Sequence, residues 1–410
     1  MQLLQASAVG TTCYSQNGKV MNNGHLKPVT AAELALRVYA VNENNPDDIK
    51  SFLMQPIFRK GSSKVLVARV GGHILRAAKD SFGVIAFGAE KTPFANDLFL
   101  IFRGTTTANK NADWITDARI GVTTSAKGKP VHIGFNDTFN SMRKQISAFV
   151  AGEKFSGRVH CIGHSLGGAV ATLAADWCKP HISDEVILYT FGSPRVGLSI
   201  FSASTTRKLG KENIHRTFNT TDPVPMVPIF PYNHLPFMSY GHRLDSDDLI
   251  TSGEAHSMKK YVHKLRSLGV GNWLGVPREK AIFNHRSAID EWLDSRRDEN
   301  PEDSRTFAKL ETAIRLFLRQ KLKRTIEDTH LIIMGVHTFI DYLAKELHRA
   351  AMLIDETSEL VKRLMRKIMR VLGIPQKLLE QHTTLQFYTY VLRLLVRRAN
   401  ERARKAIRGI

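Results

Sequence analysis

The chain has 410 residues, 43% of them hydrophobic and 23% charged, and a net charge of +20. That length buries one large core with room for a second unit, and no run approaches the ~18 apolar residues that a spanning helix needs. No basic residue precedes Lys19, so a conventional signal peptide is not expected. The chain reads as synthesised in the cytoplasm, with later export as an option.

Residues 1–28 are polar and rich in Gly and Asn, and read as a loose arm or edge strand. Residues 29–39 have helical spacing with Thr30 as the expected N-cap. After a break at 42–48 comes mixed sequence, then two predicted strands at 81–89 and 97–102 joined by a turn at Pro93. The second runs into Gly104-Thr105. Residues 131–135 lead into a helix over about 137–152. The β-branched and apolar run 159–162 suits a buried strand, and 169–177 is small, apolar and helical. Between them lies Gly163-His164-Ser165-Leu166-Gly167. Strand, sharp turn and helix is the setting of a nucleophile elbow. The flanking glycines let strand and helix backbones approach while the serine hydroxyl is pushed out toward a helix N-terminus.

Further strands are predicted at 185–191 and 213–219, with a helix reaching about 209 between them. Strands alternating with helices predict an α/β fold with a mostly parallel central sheet. Its site gathers at the strands' carboxyl ends, and Thr105, Ser165 and Asp222 each fall just past one. Of three cysteines, Cys161 and Cys178 occupy core-like positions and Cys13 is left over, which favours free thiols over a disulfide framework. Beyond 270 the pattern turns helical: 276–294, a charged linker at 296–304, 306–350, a break at Gly373-Ile374-Pro375, and 385–407. Leu385, Tyr388, Leu392, Leu395, Val396 and Ala399 form one apolar stripe on the last helix. These changes divide the chain into 1–270 and a basic helical region, 271–410.

A serine hydroxyl needs a base and an orienting acid. Asp222 follows a strand and precedes Pro223 and Pro225, which stiffen its loop. His256 comes after the acid, giving the chain order Ser, Asp, His. His242 and His263 compete for the same role, and His164 reads as a packing residue. An oxyanion needs two donors: the Leu166 N–H is one, and the Gly104-Thr105 loop supplies the other through Thr105. This chemistry calls for no cofactor and no metal.

Five ordered motifs carry a resemblance: Phe102 to Thr105 with Asp113, Trp114 and Asp117; residues 131–135; residues 163–168; residues 191–197; and Asn219 to Pro225. Together they resemble the class 3 lipases, an α/β-hydrolase family, over about 28–270. The resemblance implies Ser165, Asp222 and His256 as a triad with Thr105 and Leu166 as oxyanion donors. It also implies a lid near 106–118, a stretch more polar here than a triglyceride lipase lid. The expected substrate is therefore a glycerophospholipid, cut by a phospholipase A reaction, with triacylglycerol or small soluble esters as alternatives. Some bacterial class 3 lipases are type VI secretion effectors that attack phospholipids, and this chain is compatible with that class.

Residues 361–410 hold 13 Lys and Arg against two acidic residues, a charge of +11. Three readings stay open: an anionic membrane surface, an acidic immunity, inhibitor or adaptor protein, or an apolar stripe packed on the hydrolase with solvated arginines. The second allows a binding or delivery protein whose hydrolase is incidental. Nucleic acid is excluded as a partner for want of a reading module.

Overall fold

The computed structural model describes residues 24–42, 46–70, 78–105, 122–153, 155–246, 250–283, 286–295, 299, 303–321, 339–353, 356–381 and 383–408. A seven-stranded sheet runs β1 (Phe58–Val70), β2 (Ala78–Gly88), β3 (Leu98–Phe102), β6 (Val159–His164), β7 (Val186–Phe191), β8 (Ile214–Asn219) and β9 (His242–Leu244) in spatial order. A short hairpin, β4 (Val122–Thr124) with β5 (Pro130–His132), stands apart. β1–β2 and β2–β3 are antiparallel, and every pairing from β3 to β9 is parallel. β3, β6 and β7 are buried throughout, as strands covered on both faces must be.

α3 (Ile133–Ala151), α4 (Leu166–His181) and α5 (Ser199–Leu209) follow β5, β6 and β7 in the chain. α3 and α4 join one core with Leu100, Cys161 and Leu188. α1 (Pro28–Arg37), α2 (Pro46–Leu53) and α7 (Met258–Ser267) contribute to the core on the other face, with Ile101, Ile162 and Tyr189. A mostly parallel sheet between two helix layers, with an elbow at the end of its central strand, is the α/β-hydrolase fold. Cys161 and Cys178 are free and buried, and burial beside Cys161 pushes the Cys178 thiol well up, away from thiolate chemistry.

Several local expectations fail for identifiable reasons. α1 is capped at Lys27, with Pro28 as its first residue, rather than at Thr30; proline's fixed φ and missing N–H suit that position. β1 escapes the sequence pattern because it is an edge strand whose burial is confined largely to Phe58, Leu66 and Ala68. Residues 276–283 are not helical: Pro277 O accepts from Arg243 N, and Arg278 bridges to His242, so the next helix starts only at Arg286. The predicted arm over 1–23 lies outside the described residues.

The C-terminal region comprises α8 (Arg286–Asp294), α9 (Ser304–Lys321), α10 (Phe339–Ala351), α11 (Glu356–Leu372), α12 (Lys377–Gln381) and α13 (Leu385–Arg408). Its core is continuous with Val224, Val227 and Phe230 of the loop after β8. Arg195 and Glu311 pair across the contact at 2.6 Å, and Arg315 donates to Asn233 Oδ1 at 2.8 Å. The α13 stripe is buried except at Leu385, which is exposed at the helix's first turn. Among the described residues no helix is long and apolar enough to cross a membrane.

Beneath the β8–β9 edge, His215 stacks on Trp273 with centroids 4.3 Å apart. His25 Nδ1 meets His215 Nε2 at 2.8 Å, and His215 Nδ1 meets His242 Nε2 at 3.4 Å. Burial lowers His242 to about 3 and, beside α3, His132 to about 4. Unfolding returns these rings to water, where they take protons below pH ~6.5, so the unfolded chain binds more protons and stability falls as pH drops. Denaturant unfolding at pH 7.5, 5.5 and 4.5 is expected to show a loss of several kcal/mol, about 2–3 from each of these two histidines by the lowest pH. A flat profile over that window contradicts the assignment.

Candidate active site

β6 ends at His164, and the chain turns through Ser165 at φ 55°, ψ −129° straight into α4. This positive-φ conformation is rare for a residue with a side chain, and it is held on both sides. Ser165 N donates to Phe191 O at 3.0 Å, and Gly168 N donates back to Ser165 O at 2.9 Å. The turn needs Gly163, where an added Cβ would lie 2.1 Å from the carbonyl oxygen of Gly167. α4 therefore begins at Leu166 directly after the serine, with the positive end of its dipole beside the hydroxyl.

The Ser165 hydroxyl donates to His256 Nε2 at 2.9 Å, and His256 Nδ1 donates to Asp222 Oδ2 at 2.8 Å. All three side chains are buried. His256 is the last residue of α6 (Gly253–His256), a single turn capped when Ser252 Oγ accepts from Ala255 N at 3.1 Å. Asp222 follows β8 and holds its own loop as well, because Oδ1 accepts from Val224 N at 2.9 Å. The carboxylate thus holds its own loop with one oxygen and the histidine with the other. Gly104, after β3, reaches Ser165 closely: a Cβ on it would stand 2.8 Å from the serine Cβ. Thr105 is the next residue, half-buried at the edge of the described loop. The lid segment expected at 106–118, with Asp113, Trp114 and Asp117, lies outside the described residues.

His242 and His263 do not reach the serine. His242 is buried in the histidine stack of the far edge, and His263 is exposed on α7. His164 does more than pack. Its Nε2–H donates to the backbone carbonyl of His256 at 2.7 Å, which leaves Nδ1 to accept from the Tyr39 hydroxyl at 2.7 Å. That hydroxyl in turn accepts from Gly104 N at 3.0 Å. One relay therefore ties the loop carrying Thr105 to the residue carrying the base. Burial, and then the neighbouring His256, push His164 well below the ordinary histidine range, so it stays neutral as this arrangement requires.

Tyr261 is a second group that sequence alone did not single out. Its hydroxyl donates to Asp222 Oδ2 at 2.7 Å and accepts from Asn219 N at 3.0 Å. Burial and the adjacent carboxylate push its ionisation well up, keeping it a donor. Tyr39 and Tyr261 sit at core-facing helical positions, and no local signal separates them from ordinary packing tyrosines. Among the described residues no group of three or more His, Cys, Asp or Glu is arranged to hold a metal.

Residues 99–232 match the family described as Lipase (class 3). This segment belongs to the class 3 lipases. The chain is 37% identical over 129 residues to a secreted mono- and diacylglycerol lipase of Fusarium solani, covering 30% of this chain and 38% of that one. To a lipase of Rhizomucor miehei it is 33% identical over 160 residues, 36% of this chain and 41% of that one. The chain thus spans about two fifths of the curated relatives it matches. A solved lipase from Rhizopus microsporus var. chinensis aligns with 21% identity over 59% of this chain and 85% of that one, with a TM-score of 0.38. Relatives from Fusarium, Malassezia and Penicillium are named as secreted, which overturns the expectation of cytoplasmic synthesis without an export signal. The weak charge of the first residues does not decide export.

Gly192, at φ 54°, leaves the space in which Asp222 and His256 meet: a Cβ there would lie 2.6 Å from Asp222 Oδ2 and 3.1 Å from His256 Nδ1. Gly192→Ala is expected to slow labelling of Ser165 by a fluorophosphonate probe about tenfold or more, as a misplaced base activates the serine less. Tyr261→Phe, which leaves the Asn219 N–H unpaired, is expected to cost about 1–3 kcal/mol in denaturant unfolding. Labelling at the wild-type rate in Gly192→Ala refutes the first expectation, and wild-type stability in Tyr261→Phe the second.

Proposed function

We propose that this chain is a serine carboxylic-ester hydrolase acting on acyl lipids through an acyl-enzyme. The observation that carries the reading is the hydrogen-bonded series Asp222–His256–Ser165 at an elbow facing a helix N-terminus. Ser165 attacks the ester carbonyl while His256 Nε2 takes its proton and passes it to the leaving alcohol. Water then repeats the sequence on the acyl-enzyme. Asp222 holds the histidine tautomer and stabilises its cation. The N–H of Leu166 and the Thr105 loop receive the oxyanion. Tyr261 keeps Asp222 oriented, and the Tyr39–His164 relay keeps base and oxyanion loop in step.

The substrate we propose is a lipid ester whose head keeps a free polar group. Mono- and diacylglycerols come first, because several relatives carry those names. Glycerophospholipid is the second reading, supported by the polar sequence at 106–118. We assign 1–270 to the hydrolase and 271–410 to a helical unit serving it. Arg393, Arg397, Arg398 and Arg408, left exposed on α13, support action at an anionic lipid surface.

The test is mass spectrometry of vesicles containing diacylglycerol, phosphatidylethanolamine and phosphatidylglycerol, incubated with wild type or Ser165→Ala. Wild type is expected to release fatty acid, with Ser165→Ala lower by roughly a thousandfold or more. Retention of more than about a tenth of the activity in Ser165→Ala removes the nucleophile assignment. Lysophospholipid without monoacylglycerol makes the second substrate reading the correct one.

A further inference from the structure

The class 3 lipase segment ends at residue 232, and His256 lies beyond it on the single turn α6. One turn of helix has no stability of its own, so its position is set by what it touches. On the sheet side, Ser252 N donates to Thr221 O at 3.1 Å and Asn219 Nδ2 donates to Ala255 O at 2.5 Å. These bonds tie the turn to the end of β8, and α13 covers its outer side. A Cβ built on Gly253 would lie 3.1 Å from Ala406 O and 3.3 Å from Ala406 Cα, and its three nearest atoms all belong to Ala406. Gly253 carries no left-handed φ, so it is the helix, and not the local backbone, that denies it a side chain. Carbon atoms meet ordinarily at about 3.5–4.0 Å, so an alanine at 253 forces helix or turn to give by a few tenths of an ångström, and a valine by more.

The residue pattern of α13 suits this contact. Its first half buries large residues, Tyr388, Leu392 and Leu395. Its second half buries Ala399, Ala403 and Ala406, four and three residues apart on one face, which is small enough for backbone to meet backbone. The same face shares a core with Val224 and Val227, on the loop that follows Asp222. Asp222 and His256 are 34 residues apart in the chain, yet the loop of one and the turn of the other both rest on this last helix. A further tie joins Ile250, ahead of the turn, to Asp303, just before α9. We propose that α13 is a positioning element for the base, acting on His256 through the contact of Ala406 with Gly253. A helix outside the class 3 lipase segment then holds His256 Nδ1 at Asp222 and Nε2 at Ser165. That this geometry serves ester cleavage rests on the hydrolase reading; its dependence on α13 does not.

The test uses the full chain with Gly253→Ala, Gly253→Val and, at an exposed position of α13, Lys405→Ser. Melting curves establish which variants are folded. Lys405→Ser is expected to hydrolyse p-nitrophenyl butyrate as wild type does. In the Gly253 variants kcat is expected to fall, more for valine than for alanine and by about tenfold or more for valine, with KM within about twofold of wild type. A displaced base slows proton transfer and leaves substrate binding alone. The proton NMR signal of His256 Nδ1–H, far downfield through its bond to Asp222 and identified by its loss in Asp222→Asn, is expected to shift or weaken in the same order. If Gly253→Val does not fold, Gly253→Ala carries both comparisons. Either kcat or the downfield signal unchanged in the folded variants overturns the proposal, as does an effect confined to KM. Should wild type cleave no ester while the signal responds as expected, the hydrolase reading fails and the positioning by α13 stands.

Discussion

Holding a serine at φ 55° costs about 1–3 kcal/mol, and a chain keeps such a residue only where its surroundings leave no alternative. Here the surroundings are the two strands and the helix that meet at Ser165. Phe191 O takes its N–H, the first turn of α4 takes its carbonyl, and the backbone at Gly104 closes in behind its Cβ. Relaxing that turn would withdraw the hydroxyl from His256 and move the first N–H groups of α4 off their line. The rest of the sheet serves to make this one conformation unavoidable, since β6 is buried along its whole length between β3 and β7.

The partners of the serine are held with less regular structure and more hydrogen bonding. His256 sits on a single helical turn, too short to be stable by itself. It is fixed from three directions: Asp222 on its ring, His164 on its carbonyl, and α13 behind it, where Ala406 O would lie 3.1 Å from a Cβ on Gly253. Asp222 receives the histidine and the Tyr261 hydroxyl on one oxygen. Buried polar groups are worth having only when they are satisfied, and this network matches each donor to an acceptor that also has a positional task. The contact of α13 with α6 means that the helical region also supports the turn that carries His256.

Residue pattern and chain order were enough to point to Ser165, Asp222 and His256, because an elbow has a local signature and turn residues stand out after predicted strands. The central strands were legible for a related reason: a parallel strand buried on both faces is an unbroken apolar run. β1 was not, since an edge strand buries so few residues that its pattern blends with loop sequence. The false helix over 276–283 has the same origin, because only pairing with β9 tells that segment from an amphipathic helix.

Side-chain chemistry over short stretches was sufficient to specify most of the elements, the elbow and the chain order of the three residues that the fold brings together. Which histidine reaches the serine was settled by packing, because His242, His256 and His263 lie within 22 residues of one another and differ in what the fold places beside them. Packing also assigned the work of Tyr39, His164 and Tyr261, whose partners are 39 to 125 residues away in the chain. A hydrogen bond is a relation between two positions in space, and no periodicity in one segment records where the other end lies. The packing of the C-terminal helices on the loop after Asp222 is of the same kind: its residues are ordinary apolar ones until the fold brings α9 and α13 against Val224, Val227 and Phe230.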